Sequence, residues 1–270
     1  MKSIRSNDPR ERLIFALDVG EGLPEALTWV KRLRDHVGIF KVGKEAFTHL
    51  GPDLVRAIHQ EGGRVFLDLK FHDIPNTVAR AAEAAVRLGV SMFNVHALGG
   101  SRMMEETATA VRNMAARLGA PAPVILAVTV LTSLDDRDLS DLGFRMSAEA
   151  LVVHLAARAR TAGLDGVVAS AQDVPAIRAA CGEAFLIVTP GIRRDAVDAG
   201  DDQKRILSPE GAVAAGADYL VVGRPIRRAG DPAAEADDIV RSITAGLAAR
   251  TGSPPAVAKR ASGAKKPMVL

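Results

Sequence analysis

At 270 residues the chain is long for one β-sandwich and ordinary for one α/β barrel. Hydrophobic residues make up 48% but aromatics only 4%, so the core is expected to be Ala, Val, Leu and Ile, as suits helices laid on a parallel sheet. The net charge of +3 belongs to residues 251–270, which hold Lys259, Arg260, Lys265 and Lys266 and no acid; the other 250 residues sum to −1, which argues against a nucleic-acid-binding body.

The chain opens with a polar extension, residues 1–12, that lacks an apolar signal core. No apolar run reaches the ~18 residues of a membrane span, and the single Cys181 excludes an internal disulfide. Both features suit a cytoplasmic chain with no membrane partner. Apolar, β-rich runs then recur at 13–17, 39–42, 65–68, 92–95, 124–130, 166–169, 185–188 and 219–222. Segments of helical spacing, rich in Ala, Leu, Arg and Glu, lie between most of them, at 24–35, 52–60, 78–88, 101–118, 148–161 and 174–180. Gly62-Gly63, Gly89, Gly119, Gly163 and Gly216 stand near helix ends, where a left-handed cap favours glycine. Strand and helix alternating eight times imply a closed, parallel (β/α)8 TIM barrel over residues 13–250. An open doubly wound sheet is the competitor, but Asp18-Val-Gly-Glu-Gly-Leu-Pro24 stands where its Gly-x-Gly-x-x-Gly turn would be. Residues 251–270 are expected to be a basic, poorly ordered tail, either idle or a weak contact for an acidic partner.

Barrel active sites gather at the carboxyl ends of the strands. Those ends carry Asp18, Lys41, Asp68 with Lys70, Thr132-Ser133, Pro190-Gly-Ile-Arg193 and Gly223-Arg224. Taken singly, each has a plainer reading. Asp18 can cap a turn, Lys41 can reach into solvent as Lys44 is read to do, and Thr132 or Ser133 can cap a helix ahead of Asp135 and Asp136. Jointly they outline a pocket. The loops after the last two strands commonly bind phosphate, and here Gly191 and Gly223 permit close backbone approach while Arg193 and Arg224 offer forked donors. Residues 194–205 are polar, contain Gly200 and lack a core face, as a lid would.

The most informative stretch is Asp68-Leu-Lys-Phe-His-Asp-Ile-Pro-Asn-Thr77. Alternation puts Asp68, Lys70 and His72 on one face if the strand runs that far. Asp73 follows where Ile74-Pro75-Asn76 breaks the strand. Asp68, His72 and Asp73 as metal ligands is the weaker reading, because the Lys70 ammonium competes for the same carboxylates; no metal is expected. These ten residues resemble the signature of the orotidine 5′-phosphate decarboxylases, specifically their bacterial branch. The likeness continues through Leu17-Asp18, Phe40-Lys41-Val42-Gly43, Leu131-Thr132-Ser133, Thr189-Pro-Gly-Ile-Arg193, Gln203 and Val222-Gly223-Arg224.

The resemblance implies a cofactor-independent conversion of orotidine 5′-phosphate to UMP and CO2 in de novo pyrimidine biosynthesis. It implies Lys70 as the catalytic acid, working in a charged cluster with Asp68, Lys41 and Asp73. Asp18 and Lys41 would hold ribose hydroxyls, Thr132 the pyrimidine edge, and Arg193, Gln203, Gly223 and Arg224 the phosphate. A homodimer with shared sites is implied too, Asp73 and Thr77 reaching into the neighbouring subunit. Two rivals remain: a Mg²⁺-dependent barrel decarboxylase acting like 3-keto-L-gulonate 6-phosphate decarboxylase, and a non-catalytic barrel that binds a phosphoribosyl ligand.

Overall fold

A computed structural model of the chain describes residues 8–19, 22–192 and 207–251. A 3-10 turn, Pro9–Arg12, capped by the Asp8 side chain, leads into the first strand. Strands β1 (Leu13–Ala16), β2 (Ile39–Gly43), β3 (Val65–Phe71), β4 (Met92–His96), β5 (Val124–Val128), β6 (Gly166–Val168), β7 (Leu186–Thr189) and β8 (Tyr219–Val222) form a closed parallel barrel in sequence order. Closure is made by β8 on β1, with Leu13 opposite Leu220 and Phe15 opposite Val222. Around them run α1 (Leu23–Leu33), α2 (Lys44–Gln60), α3 (Pro75–Arg87), α4 (Gly100–Leu118), α5 (Asp136–Asp141), α6 (Ala148–Thr161), α7 (Val174–Cys181), α8 (Pro209–Ala214), α9 (Arg224–Arg228) and α10 (Pro232–Thr251). The expected TIM barrel is the fold. Among the described residues no helix is long and apolar enough to cross a membrane.

Strand alternation builds two cores. Ile14, Ile39, Phe66, Met92, Leu126, Val188 and Val221 point inward and fill the barrel. Leu13, Phe15, Phe40, Val42, Leu67, Phe93 and Ile187 point outward and pack beneath the helices. Both faces of the sheet are covered, which is why the strands read as nearly unbroken apolar runs. Burying each of Phe15, Phe40, Phe66 and Phe93 completely contributes about 1.5–3 kcal/mol.

Several boundaries differ from the sequence reading for local reasons. Helix α2 begins at Lys44, ahead of the expected 52–60, because two helical pieces join at Gly51 (φ 59°, ψ −155°). Pro52 bars its predecessor from the helical region, and Gly51 takes up a backbone angle that other residues resist. The expected caps Gly62, Gly89, Gly119, Gly163 and Gly216 all have positive φ. Helix α5 is capped by Asp135 in a reciprocal arrangement with Asp138, so neither Thr132 nor Ser133 serves that purpose. At the amino-terminal mouth of the barrel, fully buried Asp218 pairs with Arg178 of α7 and accepts the Ile187 N–H at 2.9 Å. Arg178 also donates to the Gly216 carbonyl at 2.8 and 3.0 Å.

Candidate active site

The inward face of the barrel changes character toward its carboxyl end. In steps of two, Ile14 and Ala16 lead to Asp18, Ile39 to Lys41, Phe66 to Asp68, Met92 to Asn94, and Val221 to Gly223. The same period that fills the barrel with hydrocarbon thus brings charge to its mouth. A cavity of about 300 Å³ opens there. Ala16, Phe66, Val128, Val168 and Val221 line it with apolar surface, and Asp18, Lys41, Asp68, Lys70, Thr132 and Arg224 line it with polar groups, beside Gly191 and Gly223. Eight of the residues named from the sequence therefore meet in one place.

Their charges alternate. Lys41 Nζ donates to Asp18 Oδ1 at 3.0 Å and lies 3.5 Å from Asp68 Oδ2. Lys70 Nζ donates to Asp68 Oδ1 at 2.6 Å. The Lys41 and Asp68 side chains retain only 11% and 12% exposure, so the attraction between them is little screened by solvent. Gly43 leaves room for this packing: a Cβ there would stand 2.9 Å from Lys41 Nζ and 3.3 Å from Asp18 Oδ1.

Lys70 is unusual in its backbone. Its φ of 53° makes it the only non-glycine residue with positive φ among the described residues. A left-handed backbone costs an L-residue roughly 1–2 kcal/mol and persists where the surroundings hold it. The irregularity lies in β3, which is longer than the expected 65–68. Leu67 pairs with Phe93, but pairing with β4 resumes only at Phe71 opposite Val95. Asp68 and Lys70 still share the cavity. His72 does not join them, because the left-handed turn at Lys70 interrupts the pleat; it is exposed and lies against His96, ring centroids 5.4 Å apart. Burial, and then the neighbouring charges of His72, Lys70 and Lys44, push His96 down to about 4, so its imidazole is neutral at physiological pH.

Two residues at the site were not singled out from the sequence. Asn94 is fully buried on β4, accepts the Lys70 N–H at 2.8 Å and donates from Nδ2 to Asp68 Oδ1 at 2.6 Å. A polar side chain at an inward position of an otherwise apolar strand was the signal for it. Arg227 lines the cavity and donates to the Asp18 carbonyl. Its clue was the helical spacing of three from Arg224.

Asp73 and Thr77 do not line the cavity of their own chain. Both are exposed, and Asp73 Oδ1 accepts the N–H of the adjacent Ile74 at 2.6 Å. Arg193, Gln203, the expected lid at 194–205 and all but the first residue of the expected tail lie outside the described residues.

The model of the orotidine 5′-phosphate decarboxylase / HUMPS family matches residues 11–239. Orotidine 5′-phosphate decarboxylase of Syntrophus aciditrophicus (strain SB) is 64% identical over 249 residues, covering 92% of this chain and 99% of that protein. The enzyme of the same name from Syntrophotalea carbinolica (strain DSM 2380 / NBRC 103641 / GraBd1) is 54% identical over 240 residues, covering 89% and 98%. Among solved structures, orotidine 5′-phosphate decarboxylase from Lactobacillus acidophilus superposes with a TM-score of 0.74 at 36% identity, over 86% of this chain and 98% of the other. With the match spanning both mouths of the barrel and every described strand end that carries charge, the chain belongs to the orotidine 5′-phosphate decarboxylase / HUMPS family.

Proposed function

We propose that the chain decarboxylates orotidine 5′-phosphate to UMP and CO2, with Lys70 as the acid that protonates C6. The observation that carries this reading is the Lys70 ammonium, held 2.6 Å from Asp68 in a cavity that also contains Arg224 and Gly223. When the bond from C6 to the carboxylate breaks, its electron pair stays on C6 in an in-plane orbital that the pyrimidine ring cannot delocalise. Stabilisation must come from fixed charge at that atom. An ammonium there faces the growing negative charge and then gives C6 its proton.

Asp68 would lie against the departing carboxylate. Two like charges ~4 Å apart repel by about 4 kcal/mol at an effective dielectric of 20. Large enzymatic accelerations ask for up to ~23 kcal/mol. Repulsion is therefore the smaller contribution, and Lys70, fixed dipoles and phosphate binding supply the rest. In this reading Asp18 and Lys41 hold ribose hydroxyls and Thr132 meets the pyrimidine edge. Arg224, the Gly223 backbone, Arg193 and Gln203 hold the phosphate.

The site is completed, in the same reading, by Asp73 and Thr77 of a second copy in a homodimer. Their exposure within one chain supports this, as does the neighbouring apolar surface of Ile74 and Leu98, 67% and 45% exposed. A single cysteine supports a cytoplasmic setting. The test is an absorbance assay with orotidine 5′-phosphate in the presence of EDTA. Stoichiometric UMP formation, unaffected by the chelator, is expected. Absence of turnover would overturn the reading, and turnover abolished by EDTA would favour a Mg²⁺-dependent relative.

A further inference from the structure

We propose that Asn94 is a positioning residue that sets the Lys70 ammonium against Asp68, a role that rests on the decarboxylase reading above. Between the pairs Leu67–Phe93 and Phe71–Val95, three residues of β3, Asp68, Leu69 and Lys70, stand across from the single residue Asn94 of β4. A bulge of this kind leaves backbone groups without ladder partners. Lys70 meets that shortage by turning through φ 53°, which aims its N–H at the Asn94 side chain rather than at a β4 carbonyl. The other end of the same amide holds Asp68 Oδ1, the oxygen that also receives Lys70 Nζ.

One side chain therefore fixes both partners of the catalytic ion pair: the backbone of the cation and the carboxylate of the anion. The chemistry calls for an amide. It needs one acceptor facing an N–H and one donor facing a carboxylate, with no net charge. An aspartate would keep the acceptor but present a second anion to Asp68, and an alanine would supply neither group. Asn94 is fully buried, so no solvent molecule from bulk replaces either bond freely. Asn94 is not among the residues that line the cavity, whereas its partners Lys70 and Asp68 are, which makes it a residue that acts through those two.

Asn94→Ala and Asn94→Asp test this, with kcat and KM measured on orotidine 5′-phosphate, affinity for UMP measured by calorimetry, and thermal melting as the check on folding. Misplacing a reacting group by about 1 Å can cost about 100-fold in rate, and Asn94→Ala is expected to lose kcat on that scale while UMP affinity stays within about threefold. Asn94→Asp is expected to be impaired at neutral pH and to recover relative to the unaltered chain as pH falls, when the introduced carboxyl takes up a proton and can donate to Asp68. Should Asn94→Ala fail to fold, the pH profile of Asn94→Asp decides alone. A kcat for Asn94→Asp within about tenfold of the unaltered chain at neutral pH, or a parallel loss of UMP affinity, overturns the assignment. Absence of turnover in the unaltered chain would instead strike the decarboxylase reading on which it rests.

Discussion

In the proposed function Lys70 and Arg224 make separable demands on a substrate, one at the reacting carbon and the other at the phosphate. Lys70→Ala removes the proposed proton donor but leaves the cavity and its phosphate end, so turnover should fall by at least about 10⁴-fold while UMP binding remains measurable by calorimetry. Near-normal kcat in that variant would refute the assignment. Arg224→Ala removes a charge-assisted contact and should lower kcat/KM roughly 10- to 100-fold; an unchanged kcat/KM would count against its phosphate role. His96 bears on stability rather than turnover. Its folded-state value of about 4 lies below the ordinary 6.5, because burial and nearby cations disfavour the imidazolium. Between those values the unfolded chain takes up the proton more readily, so this contribution is full above pH 6.5 and is lost as pH falls toward 4. Melting curves from pH 4 to 7 should show His96→Gln with a shallower fall than the unaltered chain; identical slopes would place the acid sensitivity elsewhere.

Among the elements, the barrel separates its two mouths by task. The charge at the carboxyl ends is proposed to serve the substrate, whereas the amino-terminal mouth holds a buried ion pair that ties α7 to the start of β8 through Arg178 and Asp218. Arg178→Ala removes the nearest partner of buried Asp218 but leaves Arg12 and Arg250 at 4.0 and 3.9 Å from its other oxygen, so the cost should fall below the roughly 3–5 kcal/mol of a buried charge left uncompensated. The urea midpoint should drop accordingly, while kcat of the folded fraction stays near that of the unaltered chain. A matching fall in kcat would show that the two mouths are coupled. The helix pattern was largely legible in sequence, since Gly62, Gly89, Gly119, Gly163 and Gly216 mark helix ends by their backbone needs. The first half of α2 was not, because Gly51-Pro52 reads as a boundary and in the fold is only a bend.

In the whole molecule, the homodimer proposed above would share each site between two copies. If Lys70 of one subunit works with Asp73 of the other, mixing inactive Lys70→Ala and Asp73→Ala chains under exchange should form hybrids with one intact site and one doubly altered site. At equal amounts half the dimers are hybrids, so activity should rise to about a quarter of the unaltered level. No recovery after demonstrated exchange would mean that Asp73 serves its own chain or none.

The sequence by itself determined the barrel and the cast of charged residues at its mouth, because alternation in a sheet buried on both faces leaves few places for Asp18, Lys41, Asp68 and Arg224. It named Lys70 but offered no account of how the residue is held. That was decided by the tertiary structure. The left-handed turn at Lys70 and the amide that braces it depend on β3 and β4 slipping out of register, and register is a relation between two strands that neither strand's own residues display.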